Sequence, residues 1–158
     1  FRDNTLVSTI NDLLEAHDLP GGCLELEITE SMLMTGAQAI DETLVRLNDQ
    51  GVRIAMDDFG TGYSSMSNLR RYPFDALKID KSFVEDITTD EADRELVAAS
   101  IVMAHALGLK VVAEGVETES QLDTLRRLKC DFAQGYLFAK PMPAEELGAF
   151  LKESPKLL

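Results

Sequence analysis

Short strand-like runs alternate with amphipathic helical segments along the chain, and this alternation repeats about five times. The clearest strand is predicted at CLELEIT, where Leu24, Leu26 and Ile28 recur at the two-residue period of a strand with two different faces. A helical period is equally clear further along the chain, for example at Leu44 and Leu47. Regular alternation of strands and helices is typical of an α/β protein with a parallel sheet.

Five strands and six helices are predicted to account for most of the 158 residues. The strands are predicted over residues 23–29, 52–58, 76–80, 110–115 and 132–138. Four helices are predicted over residues 5–19, 36–50, 65–72 and 89–107, and two more begin at Thr118 and near Pro143. Thr118 and Gln121 have the spacing of a capping box, which fixes the start of the fifth helix.

Every predicted strand ends in polar or charged residues, where a buried parallel strand would continue apolar. These residues are Glu27 and Thr29, Asp57 and Asp58, Lys78 and Asp80, Glu114, and Gln134. Any one of them alone would be assigned to a helix cap or a turn. In parallel sheets and β/α barrels, however, ligands bind at the carboxyl ends of the strands. Because all five strands share the feature, these side chains are predicted to converge on one rim.

Net charge decides what chemistry such a rim supports. With 28 acidic and 15 basic residues, the chain carries a formal charge of −13, which repels nucleic-acid polymers and anionic membranes. Carboxylates crowded at one rim also repel each other unless a cation compensates them. Oxygen ligands without clustered His or Cys favour a hard ion, so Mg²⁺ or Mn²⁺ is predicted.

The adjacent pair Asp57 and Asp58 is a puzzle, because neighbouring strand residues point to opposite faces. At a strand end the backbone turns, so both carboxylates can reach one site. One of them could bridge two ions about 3.5–4 Å apart, the arrangement used for in-line phosphoryl displacement. Lys78 could then hold the attacking water or stabilise phosphate charge, or instead form a structural ion pair with one of the aspartates. Glu114 is predicted to be a metal ligand, a general base or both, whereas Gln134 could simply satisfy backbone groups.

Other families fit less well. DFG at residues 58–60 resembles a kinase triplet, but no ATP loop or His-Arg-Asp loop accompanies it. GTG at residues 60–62 lacks the third glycine and the acidic residue of a dinucleotide fingerprint. A phosphoacceptor receiver domain has its acidic pair after the first strand and its lysine after the fifth. Here a Glu-bearing strand comes first, and Lys78 follows the pair by only one strand.

Cysteine use and hydropathy predict a cytoplasmic location, either of the whole protein or of a cytoplasmic domain of a membrane protein. Cys23 and Cys130 are the only cysteines, which fits a reducing compartment. No apolar run approaches the roughly 18 residues of a membrane span, and no signal-peptide pattern is present.

Five ordered motifs resemble one known family, the EAL-domain cyclic-di-GMP phosphodiesterases. The motifs are LELEITES (24–31), DDFGTGYSS (57–65), LKIDKSFV (77–84), VVAEGVET (111–118) and QGYLFAKPMP (134–143). The resemblance implies a TIM-like (β/α)₈ barrel with one irregular strand. It also implies hydrolysis of cyclic di-GMP to linear 5′-pGpG with two Mg²⁺ or Mn²⁺ ions.

The resemblance also implies roles for individual residues. Glu27, Asp57 and Asp58 match metal ligands, and Glu114 matches a general base or second-metal ligand. Lys78 is similar to the lysine that contacts the catalytic water, and Gln134 and Asp80 are similar to substrate-site residues. Glu30 corresponds to a glutamate that holds the loop after the aspartate pair. That loop, which couples dimerisation to metal binding in the family, comprises Gly60, Thr61, Gly62, Tyr63, Ser64 and Ser65.

The sequence departs from the family in lacking the Glu-Ala-Leu signature and an asparagine, both first-metal ligands. Residues 1–158 are therefore expected to be the C-terminal portion of a single EAL domain, with about five of the eight β/α units of a barrel. We expect an incomplete or domain-swapped barrel, inactive alone, from a homodimeric protein with an upstream sensory or cyclase domain. The alternative is a catalytically silent cyclic-di-GMP receptor or protein-interaction module.

Overall fold

A single parallel sheet organises the chain. The computed structural model describes residues 5–35, 37–60 and 66–153. Its strands are β1 (Glu25–Thr29), β2 (Arg53–Phe59), β3 (Ala76–Ile79), β4 (Lys110–Ala113) and β5 (Phe132–Ala133). They pair in the order β1-β2-β3-β4-β5, and every pair is parallel. In a β/α barrel each strand lies beside the next one in the sequence, as here. In doubly wound folds such as the receiver domain, the strand order reverses within the sheet.

Helices connect these strands, as the alternating pattern predicts. Within the described ranges they are α1 (Leu6–Ala16), α2 (Glu30–Thr35), α3 (Ala37–Asp49), α4 (Met66–Arg71), α5 (Lys81–Glu85), α6 (Glu91–Ala106), α7 (Glu119–Arg127) and α8 (Ala144–Glu153). All six predicted helices are present. The short helices α2 and α5 were not predicted, because they have too few residues to display a helical period, whereas Pro73 marks the end of the equally short α4. None of the helices in these ranges is long and apolar enough to cross a membrane.

The last strand is shorter than predicted. The prediction of a strand over residues 132–138 is wrong beyond Ala133, where β5 ends. The residues after Ala133 instead contact the segment that follows β4. The Val116 N–H donates to the Gln134 carbonyl at 3.0 Å, and the Leu137 N–H donates to the Val116 carbonyl at 3.0 Å. Gln134 therefore lies just past a strand end, as Glu114 does after β4.

The two faces of the sheet differ in chemistry because side chains alternate along each strand. One face packs under the helices and supplies the core, through Ile28, Ile54, Met56, Leu77, Ile79, Val111 and Ala113. The intervening positions carry Glu27, Asp57 and Lys78. The polar residues singled out in the sequence therefore share the face that the helices do not cover.

Two aspartates fix the opposite, amino-terminal ends of the strands. Asp75 Oδ2 accepts a hydrogen bond from the Ile54 N–H at 2.8 Å, and Asp131 Oδ2 accepts one from the Val111 N–H at 3.0 Å. Asp131 also binds the Lys110 ammonium and the His105 ring, each at 2.7 Å. Burial alone would raise the pKa of Asp131, but hydrogen bonds from Lys110 and His105 outweigh it and hold the pKa below its usual 3.8.

Candidate metal centre

Three carboxylates surround the Lys78 ammonium at the carboxyl end of the sheet. Lys78 Nζ lies 2.5 Å from Glu27 Oε1, 2.7 Å from Glu114 Oε1 and 3.1 Å from Asp57 Oδ1. These groups come from the carboxyl-terminal parts of four neighbouring parallel strands. The register pairs Glu27 with Ala55 and Lys78 with Val112, so Asp57 and Glu114 each lie two residues further along. The structure thus brings Glu27, Asp57, Lys78 and Glu114 together as the sequence predicts.

Lys78 is the most buried charged group in the cluster, with 4% of its surface exposed. Burial alone would lower the pKa of its ammonium, because the charged form is poorly solvated there. Hydrogen bonds to Glu114 and Glu27, together with the nearby Asp57 carboxylate, outweigh burial and hold the pKa of Lys78 above its usual range. Lys78 is therefore a permanent cation near neutral pH. The sequence left open whether Lys78 contacts water or phosphate, or forms a structural ion pair with an aspartate. It does pair with Asp57, but within a cluster of three carboxylates.

A bulge in β2 explains how adjacent aspartates reach one site. Met56 pairs with Leu77 and Phe59 pairs with Ile79, so three steps along β2 match two along β3. Asp58 takes up the extra residue with a left-handed φ of 56°. The alternation of side chains is broken at this point. As a result, one carboxylate oxygen from each of Asp57, Asp58 and Glu114 lies within 4.8 Å of the others.

The donor set of this group fits a hard divalent cation. All its ligand atoms are carboxylate oxygens, which Mg²⁺ and Mn²⁺ prefer. Asp57 Oδ1 is buried without a hydrogen bond, because its 3.1 Å contact with Lys78 Nζ lacks hydrogen-bond alignment. A buried acceptor left in this state is suited to a cation. Glu27 stands outside the three-residue group, and its half-exposed carboxylate lies 2.5 Å from Lys78 Nζ; its metal role stays a prediction.

The remaining predicted site residues have distinct positions. Gln134 Nε2 donates to Glu114 Oε1 at 2.5 Å, the same oxygen that binds Lys78. Asp80 is the N-cap of α5: its Oδ1 accepts from the Ser82 N–H at 3.0 Å and the Ser82 hydroxyl at 2.5 Å. The Ser82 side-chain hydrogen bond is the main reason that the pKa of Asp80 is lowered. The substrate roles predicted for Gln134 and Asp80 stay predictions.

The predicted coupling loop is only partly described. Glu30 begins α2 directly after β1, and Gly60 follows the bulge with a φ of 100°. The other loop residues, Thr61, Gly62, Tyr63, Ser64 and Ser65, lie outside the described residues.

The glycines that follow Glu114 and Gln134 were not singled out as part of the site. A Cβ atom on Gly115 would lie 2.5 Å from Lys81 Cβ, and one on Gly135 would lie 2.2 Å from the Val116 carbonyl oxygen. Only glycine lets these backbones approach so closely. The signal was present in the sequence, because Glu114 and Gln134 are each followed directly by glycine.

Comparison with known proteins identifies the family. The family model described as EAL domain matches residues 1–141. The chain belongs to the EAL domain family. Cyclic di-GMP phosphodiesterase NbdA of Pseudomonas aeruginosa is 49% identical over 148 residues, which are 94% of this chain and 19% of NbdA. The chain thus spans about a fifth of the length of this relative.

Solved EAL structures have the same fold. The PaMucR phosphodiesterase in its c-di-GMP complex matches with a TM-score of 0.86 and 45% identity, over 91% of this chain and 58% of that chain. The Klebsiella pneumoniae BlrP1 manganese/cy-diGMP complex at pH 9.0 matches with a TM-score of 0.82 and 34% identity, over 88% and 36% of the two chains. These matches and the sequential strand order confirm the predicted partial TIM-like barrel.

Proposed function

We propose that the EAL domain containing this chain hydrolyses cyclic di-GMP to linear 5′-pGpG, and that this hydrolysis requires Mg²⁺ or Mn²⁺. The observation that carries the proposal is the group formed by Asp57, Asp58 and Glu114 beside the buried Lys78. A relative that is 49% identical over 148 residues is the cyclic di-GMP phosphodiesterase NbdA. The acidic rim by itself would repel a phosphodiester, so compensation by cations is part of the proposal.

Asp57, Asp58 and Glu114 would hold the metal, with Glu27 as a further ligand in the complete domain. Bound divalent ions supply charge neutralisation at the phosphodiester and lower the pKa of water.

Lys78 acts as a donor rather than a base. Its pKa lies above the usual range, so it keeps its proton at neutral pH and can hold the attacking water or a phosphate oxygen. Glu114 receives the hydrogen bonds from Lys78 and Gln134 on the same oxygen, Oε1. We propose that its second oxygen accepts the proton of the attacking water. Gln134 positions Glu114 in addition to its predicted contact with substrate.

This chain covers only part of the solved relatives, and that affects the activity expected of residues 1–158 alone. The chain covers 58% of the PaMucR chain. We therefore propose that residues 1–158 are the C-terminal portion of one EAL domain and turn over little substrate without the rest of it. We also propose that the whole protein is a cytoplasmic homodimer with a further sensory or cyclase domain. A relative that combines two activities, the bifunctional diguanylate cyclase/cyclic di-GMP phosphodiesterase MucR, supports the last point.

The test is turnover by the full-length protein. Cyclic di-GMP is incubated with Mg²⁺ or Mn²⁺, and pGpG is measured by chromatography against a known phosphodiesterase. We expect Asp57→Asn and Glu114→Gln to lower kcat at least about a hundredfold, as loss of a metal ligand or base does. Asp123→Asn is the matched control, because Asp123 is exposed on α7 and pairs with Arg126.

Two results would contradict the proposal. Turnover that persists in excess EDTA would remove the metal requirement. Cyclic di-GMP binding without any pGpG, under conditions where the known enzyme works, would instead identify a catalytically silent receptor.

A further inference from the structure

The metal ligand Asp58 has an unfavourable backbone, and something in the fold must stabilise it. Asp58 has a φ of 56° and Gly60 a φ of 100°, with Phe59 between them. A non-glycine residue in the left-handed region is destabilising unless its surroundings hold it there. Phe59 is the residue of this segment that pairs with β3, opposite Ile79. The direction of the Asp58 carboxylate therefore depends on how the backbone of Phe59 and Gly60 is held.

Phe83 is the side chain that meets this backbone. A Cβ atom built on Gly60 would lie 2.8 Å from Phe83 Cε2, 3.1 Å from Cζ and 3.7 Å from Cδ2, and these are its three nearest atoms. The edge of the ring thus lies directly against Gly60. Phe83 belongs to α5, which begins immediately after β3 and is capped by Asp80. The ring therefore links the strand that carries Lys78 to the segment that carries Asp58.

Behind the two phenylalanines lies an apolar cavity of about 190 Å³. It is lined by Phe59, Gly60, Ile79 and Phe83, and by Val97 and Ser100 of α6. Among the described residues, none fills this side of the rings, so none of them would hold Gly60 from there if the Phe83 ring were removed. Shortening Phe83 would extend the cavity to the backbone of the bulge.

We infer that Phe83 is a positioning residue for the metal ligand Asp58, acting through the backbone of Phe59 and Gly60. The inference rests on the proposed metal dependence. Phe83 touches neither metal nor substrate; it selects the backbone conformation in which Asp58 joins Asp57 and Glu114. Groups that orient metal ligands in this way typically change metal affinity 10–100-fold when they are replaced.

The experiment measures Mn²⁺ binding to the full-length protein by electron paramagnetic resonance, without substrate. Asp58→Asn identifies the part of the binding that belongs to this site. We expect Phe83→Leu to weaken that part about tenfold and Phe83→Ala to weaken it further. The matched control is Phe74→Leu, since Phe74 is buried near the opposite end of β3. It is expected to lower thermal stability comparably and to change the Mn²⁺ affinity less than about twofold.

A second pair of variants tests the contact itself. Gly60→Ala should weaken Mn²⁺ binding, because its new methyl group meets the Phe83 ring at 2.8 Å and a φ of 100° disfavours alanine. In the double variant Gly60→Ala/Phe83→Leu, the shorter side chain makes room for the methyl group. The two losses should therefore be less than additive, which a merely structural role would not produce.

The outcomes separate the inference from the proposed function. Wild-type affinity in Phe83→Leu and Phe83→Ala, or an equal loss in Phe74→Leu, would overturn the positioning role and leave the phosphodiesterase proposal intact. A wild-type protein with no Mn²⁺ binding sensitive to Asp58→Asn would overturn both.

Discussion

Replacing Lys78 by methionine tests the electrostatics of the site. The substitution keeps the length and apolar stem of the side chain but removes the charge that three carboxylates share. Removing one partner of a buried ion pair costs about 3–5 kcal/mol. Here the Asp57 and Glu114 side chains are less than a fifth exposed, but that of Glu27 is 49% exposed and is partly screened. We therefore expect Lys78→Met to lower the free energy of unfolding by about 2–3 kcal/mol at pH 7 without metal.

The decrease in unfolding free energy caused by Lys78→Met should depend on divalent cations and on pH. Mn²⁺ would compensate the same carboxylates, so saturating Mn²⁺ should remove most of the difference between Lys78→Met and wild type. The pKa of Lys78 is raised in the folded state, so its contribution is complete below the usual value of 10.5. It is lost as the pH rises through the folded pKa. Wild-type protein should therefore lose stability at strongly alkaline pH, whereas Lys78→Met should lack this component.

The assay is urea unfolding of the intact EAL domain followed by far-ultraviolet circular dichroism, in EDTA and again in Mn²⁺. Lys152→Met, at an exposed position on α8, is the charge-matched control and should change the unfolding free energy by less than about 0.5 kcal/mol. If Lys78→Met is as stable as wild type in EDTA, the cluster does not depend on its ammonium. An equal loss with and without Mn²⁺ would show that the carboxylates and the metal are not coupled.

Two further substitutions test the framework around the site, each by urea unfolding. Asp131→Asn should cost about 1–2 kcal/mol, because it removes the charge that binds Lys110 and His105. This contribution is present above pH 3.8 and is lost as the pH falls through the lowered pKa of Asp131. The unfolding free energies of wild type and Asp131→Asn should therefore converge in acid. A difference that stays constant with pH would contradict this explanation. Gln121→Ala should cost about 2 kcal/mol, because the buried amide caps α7 and donates to the Glu85 carbonyl at 3.1 Å. Gln121→Glu keeps the capping oxygen but sets a carboxylate oxygen against the Glu85 carbonyl, so it should lose at least as much; a loss below half that of Gln121→Ala would assign the effect to the cap alone.

The sequence was sufficient to predict the alternating α/β architecture and the convergence of the acidic residues, because both depend on strand ends. The period of two locates the strands, and the parallel arrangement places Glu27, Asp57 and Glu114 on one rim. The capping box of Thr118 was also predictable, because its two hydrogen bonds are local. These features require no knowledge of distant packing.

Other features depended on tertiary contacts that periodicity does not contain. The bulge that turns Asp58 toward Asp57 arises from the pairing of Phe59 with Ile79, which no local pattern indicates. Helix α5 is a single turn stabilised by the Asp80 cap, so its apolar residues are too few to reveal a helix. The early end of β5 follows from the return of Gln134 to Val116, a contact between distant segments.

The sequential strand order also determines when the acidic cluster becomes neutralised during synthesis. Each strand pairs with the next strand in the chain, so the sheet can grow one unit at a time from the amino end, as nascent chains tend to fold. The units of β1 and β2 bring Glu27 and Asp57 close together, but the ammonium that binds both arrives only with β3. Glu114 arrives later still, on the end of β4. A ribosome-bound intermediate that stops before β3 would hold Glu27 and Asp57 without a compensating cation. Pairing of β3 with the sheet would bring in Lys78, so growth of the sheet and formation of these ion pairs would be cooperative.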